Sequence, residues 1–294
     1  MSADHHSGTS GPRIAIAGAT GRVGATLISL LASDPVETIA LTRDPRTATL
    51  PEGVAVAAID FDRPETLWHA LRGAERLFLA HGTSPRQVEN EVALIDAAVA
   101  ANVRHIVKLS ALCPATRLTP FAWHMKIEAH LARQAIAATV LRPSAFFDVL
   151  KRSGPQIAGG AWAGAATQGR VNFIDTRDIA KVARVALLEK VHPHSQRAYH
   201  LTGARAWTMQ EIAQELSALL GRRINYGSRT LEEQHAALLG SGLSPLIADL
   251  LTGLDQMFRD SALSETTATV RELTGSDPRT LHDWLIDNLA VFQS

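Results

Sequence analysis

The chain has 294 residues, enough for one large domain or two ordinary ones at about 150 residues each. Its 46% hydrophobic and 20% charged content suits a packed globular protein and excludes wholesale disorder. Lys plus Arg and Asp plus Glu both number 29, so the basic face that nucleic-acid binding needs is not expected, and the single cysteine, Cys113, excludes an internal disulfide framework and a Cys-cluster metal site and fits a reducing, cytoplasmic home.

Residues 1–11 are small and polar and read as a disordered arm rather than a signal peptide. No run of about 18 apolar residues follows, so neither a membrane span nor a membrane partner is expected. Residues 13–17 are a short apolar run ending at Gly18 and predict a buried strand. Residues 22–32 carry Val23, Leu27, Leu30 and Leu31 at helical spacing. Further strands are predicted at 38–41, 54–57, 77–80, 105–109 and 138–141, with helices at 65–71, 87–101 and 120–135. Strands alternating with helices predict an α/β, Rossmann-like, doubly wound parallel sheet. Beyond Pro143 the pattern loosens to a strand at 171–174, a helix at 178–188, a strand at 199–202 and a helix at 209–220. Thr208 and Glu211 have the spacing of a capping box for that last helix. From Leu231 the chain reads mostly helical and ends in a helix over 281–292. The expected organisation is a dinucleotide-binding domain over 12–150 and a smaller, mainly helical C-terminal lobe over 151–294. Segments 171–189 and 198–203 return to the first domain in this reading.

Gly18-Ala19-Thr20-Gly21-Arg22-Val23-Gly24 joins the first strand to the first helix with the spacing G-x-x-G-x-x-G. Glycines there let the backbone turn tightly and approach a pyrophosphate, while the helix N-terminus offers N–H groups and partial positive charge. A ligand-free glycine turn is the plain alternative, but the strand–turn–helix context favours a dinucleotide. The segment after the second strand, Leu41-Thr42-Arg43-Asp44-Pro45, places Arg43 where a 2′-phosphate needs a cation, and Arg22 can reach the same group. NADP(H) is therefore the expected cofactor, and the adjacent Asp44 keeps NAD(H) open.

Other stretches join that loop: Asp60-Phe61, residues 90–101 leading into 103–110, Thr139-Val140-Leu141-Arg142-Pro143, residues 171–180, and a tail with Leu273-Thr274-Gly275 and Pro278-Arg279-Thr280-Leu281. Together they resemble the NmrA-like group of atypical short-chain dehydrogenase/reductases, over nearly the whole chain after the arm. The resemblance implies Asp60 and Phe61 beside an adenine. It also implies Ala80, His81 and Gly82 along the nicotinamide-side ribose, and Pro143, Ser144 and Phe146 near the nicotinamide amide.

Conventional short-chain dehydrogenases use a serine with a Tyr-x-x-x-Lys pair to move the substrate proton. The two tyrosines here, Tyr199 and Tyr226, are followed four residues on by Gly203 and Thr230, so that pair is absent. Ser110 ends the fifth strand, at the sheet edge where open α/β folds bind ligands. His124 and Glu128 are four apart and share a helix face. The resemblance implies that His124 takes the place of the missing lysine; Lys126 is the other candidate, offset by two residues. A helix histidine simply bonded to Glu128 is the bland reading. His192 and His194 lack a carboxylate at ligand spacing, and no metal is expected. Cys113 is expected to be inert more readily than reactive. Trp123, Phe146, Phe147 and Trp162 either line an aromatic substrate pocket or belong to the core.

These readings point to an NADP(H)-dependent reductase, monomeric or homodimeric, passing hydride to a small aromatic or conjugated acceptor of the quinone, azo, enone or imine type. Such acceptors need little acid catalysis once the nicotinamide is positioned. The alternatives are a non-catalytic NAD(P) sensor of the NmrA type, and a cyclase or isomerase of a biosynthetic pathway.

Overall fold

The computed structural model describes residues 11–112 and 121–293; Cys113 and all but the last residue of the arm lie outside the described residues. The first half alternates as the sequence predicts: β1 (Arg13–Ala17), α1 (Arg22–Leu31), β2 (Glu37–Thr42), β3 (Ala55–Ala58), α2 (Pro64–Leu71), β4 (Arg76–Leu79), α3 (Gln87–Ala100), β5 (His105–Leu109), α4 (Phe121–Leu131) and β6 (Ala137–Pro143). A 3₁₀ turn at Phe147–Ser153 leads into α5 (Gly154–Ala158), β7 (Trp162–Gly164), α6 (Thr176–Leu188), β8 (Gln196–Leu201), α7 (Met209–Leu220) and β9 (Tyr226–Ser228). Helices α8 (Leu231–Gly240), α9 (Pro245–Arg259), α10 (Thr269–Thr274) and α11 (Leu281–Asp287) follow. No helix among the described residues is long and apolar enough to cross a membrane.

Seven strands form one sheet in the order β3-β2-β1-β4-β5-β6-β8. β1 pairs in parallel with both β2 and β4, and β4 with β5. The chain winds outward from β1 through β2 to β3, then restarts on the other side of β1 at β4. The strand order therefore reverses between β1 and β4, and it is at the carboxyl ends of strands at such a reversal that doubly wound sheets take ligands.

By its internal packing the chain divides into two compact units. The first comprises residues 1–108, 130–139 and 183–197. Its core is built on Ile14, Ile16, Leu77, Phe78, Ile106 and Val107, all fully buried. α1 buries Val23, Gly24, Leu27, Ile28 and Leu31, a single stripe at helical spacing. Arg184 pairs with Asp34 ahead of β2, and Arg76 donates to the carbonyls of Leu187 and Glu189 at the end of α6.

The second unit comprises residues 109–129, 140–182 and 198–294. Its core is aromatic: Phe147 stacks on Phe173 at 5.9 Å and on Trp284 at 5.6 Å, and Trp284 meets Phe292 edge-on. Three expectations change here. Residues 171–174 do not form a regular strand, because their amides go to different neighbours. Val171 N–H donates to Trp207 O, Asn172 N–H to Leu263 O and Ile174 N–H to Ala145 O. The final helix stops at Asp287 and continues as a 3₁₀ turn, Leu289–Phe292. The three-residue strands β7 and β9, which the sequence did not announce, pair in parallel. The Thr208–Glu211 capping box is present, with both reciprocal hydrogen bonds.

Candidate functional site

The glycine loop sits at the strand-order reversal. Gly18 has φ of +74°, and a Cβ built on it would lie 2.9 Å from Ala80 O, at the end of β4. A side chain there is excluded twice, by the left-handed backbone and by the neighbouring strand. A Cβ on Gly24 would lie 2.2 Å from Gly18 O, so α1 closes onto the loop only with glycine at that position. Gly21 N–H donates to Gly18 O at 2.9 Å and fixes the turn. Gly21 is the N-cap of α1 and offers no side-chain cap, and the first turn carries no acid. Thr20, Arg22 and Val23 complete a loop that could take an anion at the helix N-terminus with no competing carboxylate in the first turn.

Arg43 is exposed beyond β2, while Asp44 is already engaged. Arg46 donates Nε at 3.0 Å and Nη2 at 3.2 Å to the two oxygens of Asp44, and its backbone N–H adds a third bond. These bonds hold the Asp44 carboxyl below its usual range. The acid that kept NAD(H) open is thus paired to Arg46. Asp60 accepts from the Asp62 amide and from Arg63, which likewise lowers its pKa. Phe61 meets the His81 ring edge-on at 5.7 Å. The Asn90 amide donates to His81 Nε2 at 3.0 Å, so the ring proton sits on Nδ1, facing Gly82 O at 2.5 Å. The sequence offered Asn90 only as part of a motif; here it sets the tautomer of His81.

In the second unit, the turn after β6 holds Pro143, Ser144 and Phe146. Ser144 N–H donates to Leu201 O at 2.9 Å. Its Oγ is buried, with the residue 3% exposed, and has no partner among the described residues. A buried hydroxyl without a partner costs about 1–3 kcal/mol, and a bound polar group removes that cost. The glycine cradle and this hydroxyl each fit part of a dinucleotide by themselves: the cradle of the first unit leaves room for phosphates, and the Ser144 hydroxyl of the second has no partner among the described residues.

Ser110 is buried at the end of β5, and its hydroxyl donates to Glu128 Oε1 on α4. Arg142 on β6 donates Nη2 at 2.5 Å and Nε at 3.1 Å to Glu128 Oε2. Glu128 therefore ties the ends of β5 and β6 to α4, and Arg142 is the partner the sequence reading missed. His124 lies one turn before Glu128 and is half-buried; Lys126 is exposed and takes no part in this network. Phe147 and Trp162 are core residues, whereas Trp123 and Phe146 are half-buried. Cys113 lies outside the described residues, and no group of three or more His, Cys, Asp or Glu among the described residues is arranged to hold a metal.

A family model described as NmrA-like family matches residues 11–285. The chain belongs to the NmrA-like family. Its relatives include the NAD(P)H azoreductase of Xenophilus azovorans, 31% identical over 95% of this chain and 99% of that protein. Quinone oxidoreductase 2 of Escherichia coli (strain K12) is 30% identical over 91% of this chain and 96% of its own. The crystal structure of the Escherichia coli NADPH-dependent quinone oxidoreductase complexed with NADPH superposes with a TM-score of 0.87 at 29% identity, covering 94% of this chain and 99% of that one. Within this NmrA-like fold, Tyr226 is half-buried. Burial raises its pKa, and its Oη accepts the Ala166 N–H at 3.2 Å. A phenol held in its neutral form by burial is opposite to one activated for proton transfer. The tail motif also has a structural role: Asp178, at the start of α6, accepts both the backbone N–H and the guanidinium of Arg279 at 2.6 Å.

Proposed function

We propose that the protein is an NADP(H)-dependent reductase that passes hydride to a small, flat, electron-poor acceptor of the quinone, azo, enone or imine type. The observation that carries this reading is the anion cradle of Gly18 and Gly24 at the strand-order reversal, with uncapped amides and no acid in the first turn of α1. Arg43, beside an Asp44 already paired to Arg46, favours the 2′-phosphate form. The azoreductase and quinone oxidoreductase relatives support the acceptor class.

Bound NADPH supplies the hydride. Gly18 and Gly21 shape the turn, Thr20, Val23 and Gly24 would hold the pyrophosphate through backbone N–H groups, and Arg22 and Arg43 would bind the 2′-phosphate. Asp60 and Phe61 flank the adenine, while Ala80, His81 and Gly82 follow the nicotinamide-side ribose. Ser144 would donate its hydroxyl to the nicotinamide amide, with Pro143 and Phe146 as its neighbours in the same turn. His124 holds the ribose hydroxyls that a lysine holds in conventional relatives. Ser110, locked to Glu128, presents a fixed oxygen to the acceptor. Lys126, on the exposed side of α4, has no catalytic part. An electron-poor acceptor leaves little for an acid to do, so positioning carries most of the rate.

The test is NADPH oxidation by the purified protein across quinones, azo dyes, enones and imines, with NADH in parallel. Turnover of at least one class, faster with NADPH, is expected. NADPH binding without turnover of any class would overturn the reading and favour a cofactor-sensing role.

A further inference from the structure

Inside the second unit lies a cavity of about 110 Å³, walled by the 3₁₀ turn after β6, by β7 and β9, and by α8 and α9. Its walls are mainly apolar and aromatic, with Trp162, Tyr226, Leu254 and Phe258 among them. Trp162 and Tyr226 meet edge-on at 5.0 Å. A Cβ on Gly164 would lie 2.7 Å from Tyr226 Oη, so that glycine gives the phenol its place against β7. One carboxylate, Asp255 of α9, lines this space.

The partners of Asp255 are neutral. The Gln234 side chain and the Ala165 backbone N–H bond to it, and no cation pairs with it among the described residues. Of the arginines near it, Arg152 shares the cavity lining, and Arg229 is engaged elsewhere: its Nη1 donates to Gln234 Oε1 at 3.1 Å and to Ala163 O at 3.5 Å. Gln234 thus stands between the guanidinium and the carboxylate. The Tyr226 oxygen accepts the Ala166 N–H and keeps its own proton to donate. A desolvated carboxylate without a counter-ion is costly, and a cation that completes the pair inside an apolar pocket recovers that cost. Aromatic faces around the same space attract the same charge.

We propose that this cavity is a binding site for an organic cation, a protonated amine or iminium on a single-ring apolar body, with Asp255 as its counter-ion. An engineered cavity of about 150 Å³ takes benzene, so a volume of this order fits a one-ring head. The inference does not depend on hydride transfer. An iminium bound there could be an acceptor substrate, its C=N carbon taking hydride to give an amine, whereas a protonated amine cannot accept hydride and would be a product or an effector; the recognition by charge is the same.

Isothermal titration of benzylamine and of benzyl alcohol into the NADPH-saturated protein at pH 7.5 separates charge from shape. Benzylamine is expected to bind about tenfold or more tighter than benzyl alcohol. In Asp255→Asn that preference disappears while benzyl alcohol still binds, which shows the cavity intact. Tyr226→Phe keeps the wall and loses only a few-fold for the amine. Equal affinity of the wild type for both probes overturns the proposal, and needs no variant to fold. A preference that survives in Asp255→Asn overturns it as well. With the preference present, competition of benzylamine against a quinone acceptor identifies the cation as substrate-like, and binding without competition identifies an effector. Because titration reads binding alone, an absence of quinone turnover leaves this test intact and counts only against the reductase reading.

Discussion

In the proposed function, single residues set the cofactor preference. A guanidinium binds a 2′-phosphate through two charge-assisted bonds, and a carboxylate in its place repels that phosphate while accepting from a 2′-hydroxyl. Because Asp44 is paired to Arg46, the proposed site leaves the choice to Arg43 together with Arg22. Arg43→Asp is expected to lower the NADPH-over-NADH ratio of kcat/KM by tenfold or more, about 1.4 kcal/mol per decade. Steady-state kinetics with both cofactors checks it, and an unchanged ratio would remove Arg43 from the site. Ser144 gives a prediction with two signs. Removing a buried hydroxyl that has no protein partner spares a desolvation cost, so Ser144→Ala should leave the cofactor-free melting temperature unchanged or raised. The same change removes a ligand bond worth about 1 kcal/mol, and the Kd for NADPH should rise several-fold. A lowered melting temperature with unchanged Kd would make Ser144 a structural residue only.

At the level of elements, the decisive link is Glu128, which joins α4 to β5 through Ser110 and to β6 through Arg142. Glu128→Ala leaves the buried Ser110 hydroxyl and the half-buried Arg142 guanidinium without their acceptor, a loss of about 2 kcal/mol. Urea unfolding should show that loss, and Glu128→Gln should recover part of it because an amide oxygen still accepts from Ser110. Equal stability of all three proteins would show that α4 is held by packing alone. The contrast between α1 and this network also explains what the sequence disclosed. The strand–glycine–helix order is local, written in adjacent residues with matching periodicity, and so the parallel sheet and the glycine turn were legible. Glu128 was legible only as a neighbour of His124 at helical spacing. Its partners come from 14 and 18 residues away, across chain reversals that no local pattern records. β7 and β9 have three residues each, too few to show alternation. Residues 171–174 mislead for the opposite reason: their apolar character reflects burial, yet each amide finds a different neighbour.

For the whole molecule, two buried titratable groups bend the stability curve in opposite directions. Burial and the charges of Arg76 and Arg197 push the His105 imidazole down to about 4, while its Nε2 faces Thr139 Oγ1 at 2.9 Å. Burial pushes the Asp255 carboxyl up to about 6, against the bonds from Gln234 and Ala165. Between about pH 4 and 6.5 the unfolded chain binds the proton that folded His105 refuses, so His105 makes stability rise with pH across that window and fall as acid is added. Between about pH 4 and 6 folded Asp255 keeps a proton that the unfolded chain has released, so its contribution is full below that window and lost as pH rises through it. At about 1.4 kcal/mol per unit of pKa, each effect is on the order of 3 kcal/mol before solvent screening at the partly open Asp255. Contributions common to all proteins cancel in a difference curve, which leaves the sign of each group exposed. Relative to wild type, Asp255→Asn should gain stability steadily from pH 4 to 6 and hold that gain at pH 7. His105→Gln should lose stability relative to wild type over pH 4 to 6.5 and hold that loss above. Urea midpoints at half-unit pH steps resolve both curves. An Asp255→Asn curve parallel to wild type from pH 4 to 7 would mean that the carboxylate is solvated in the folded protein. The same result would remove the physical ground for a cation in its cavity.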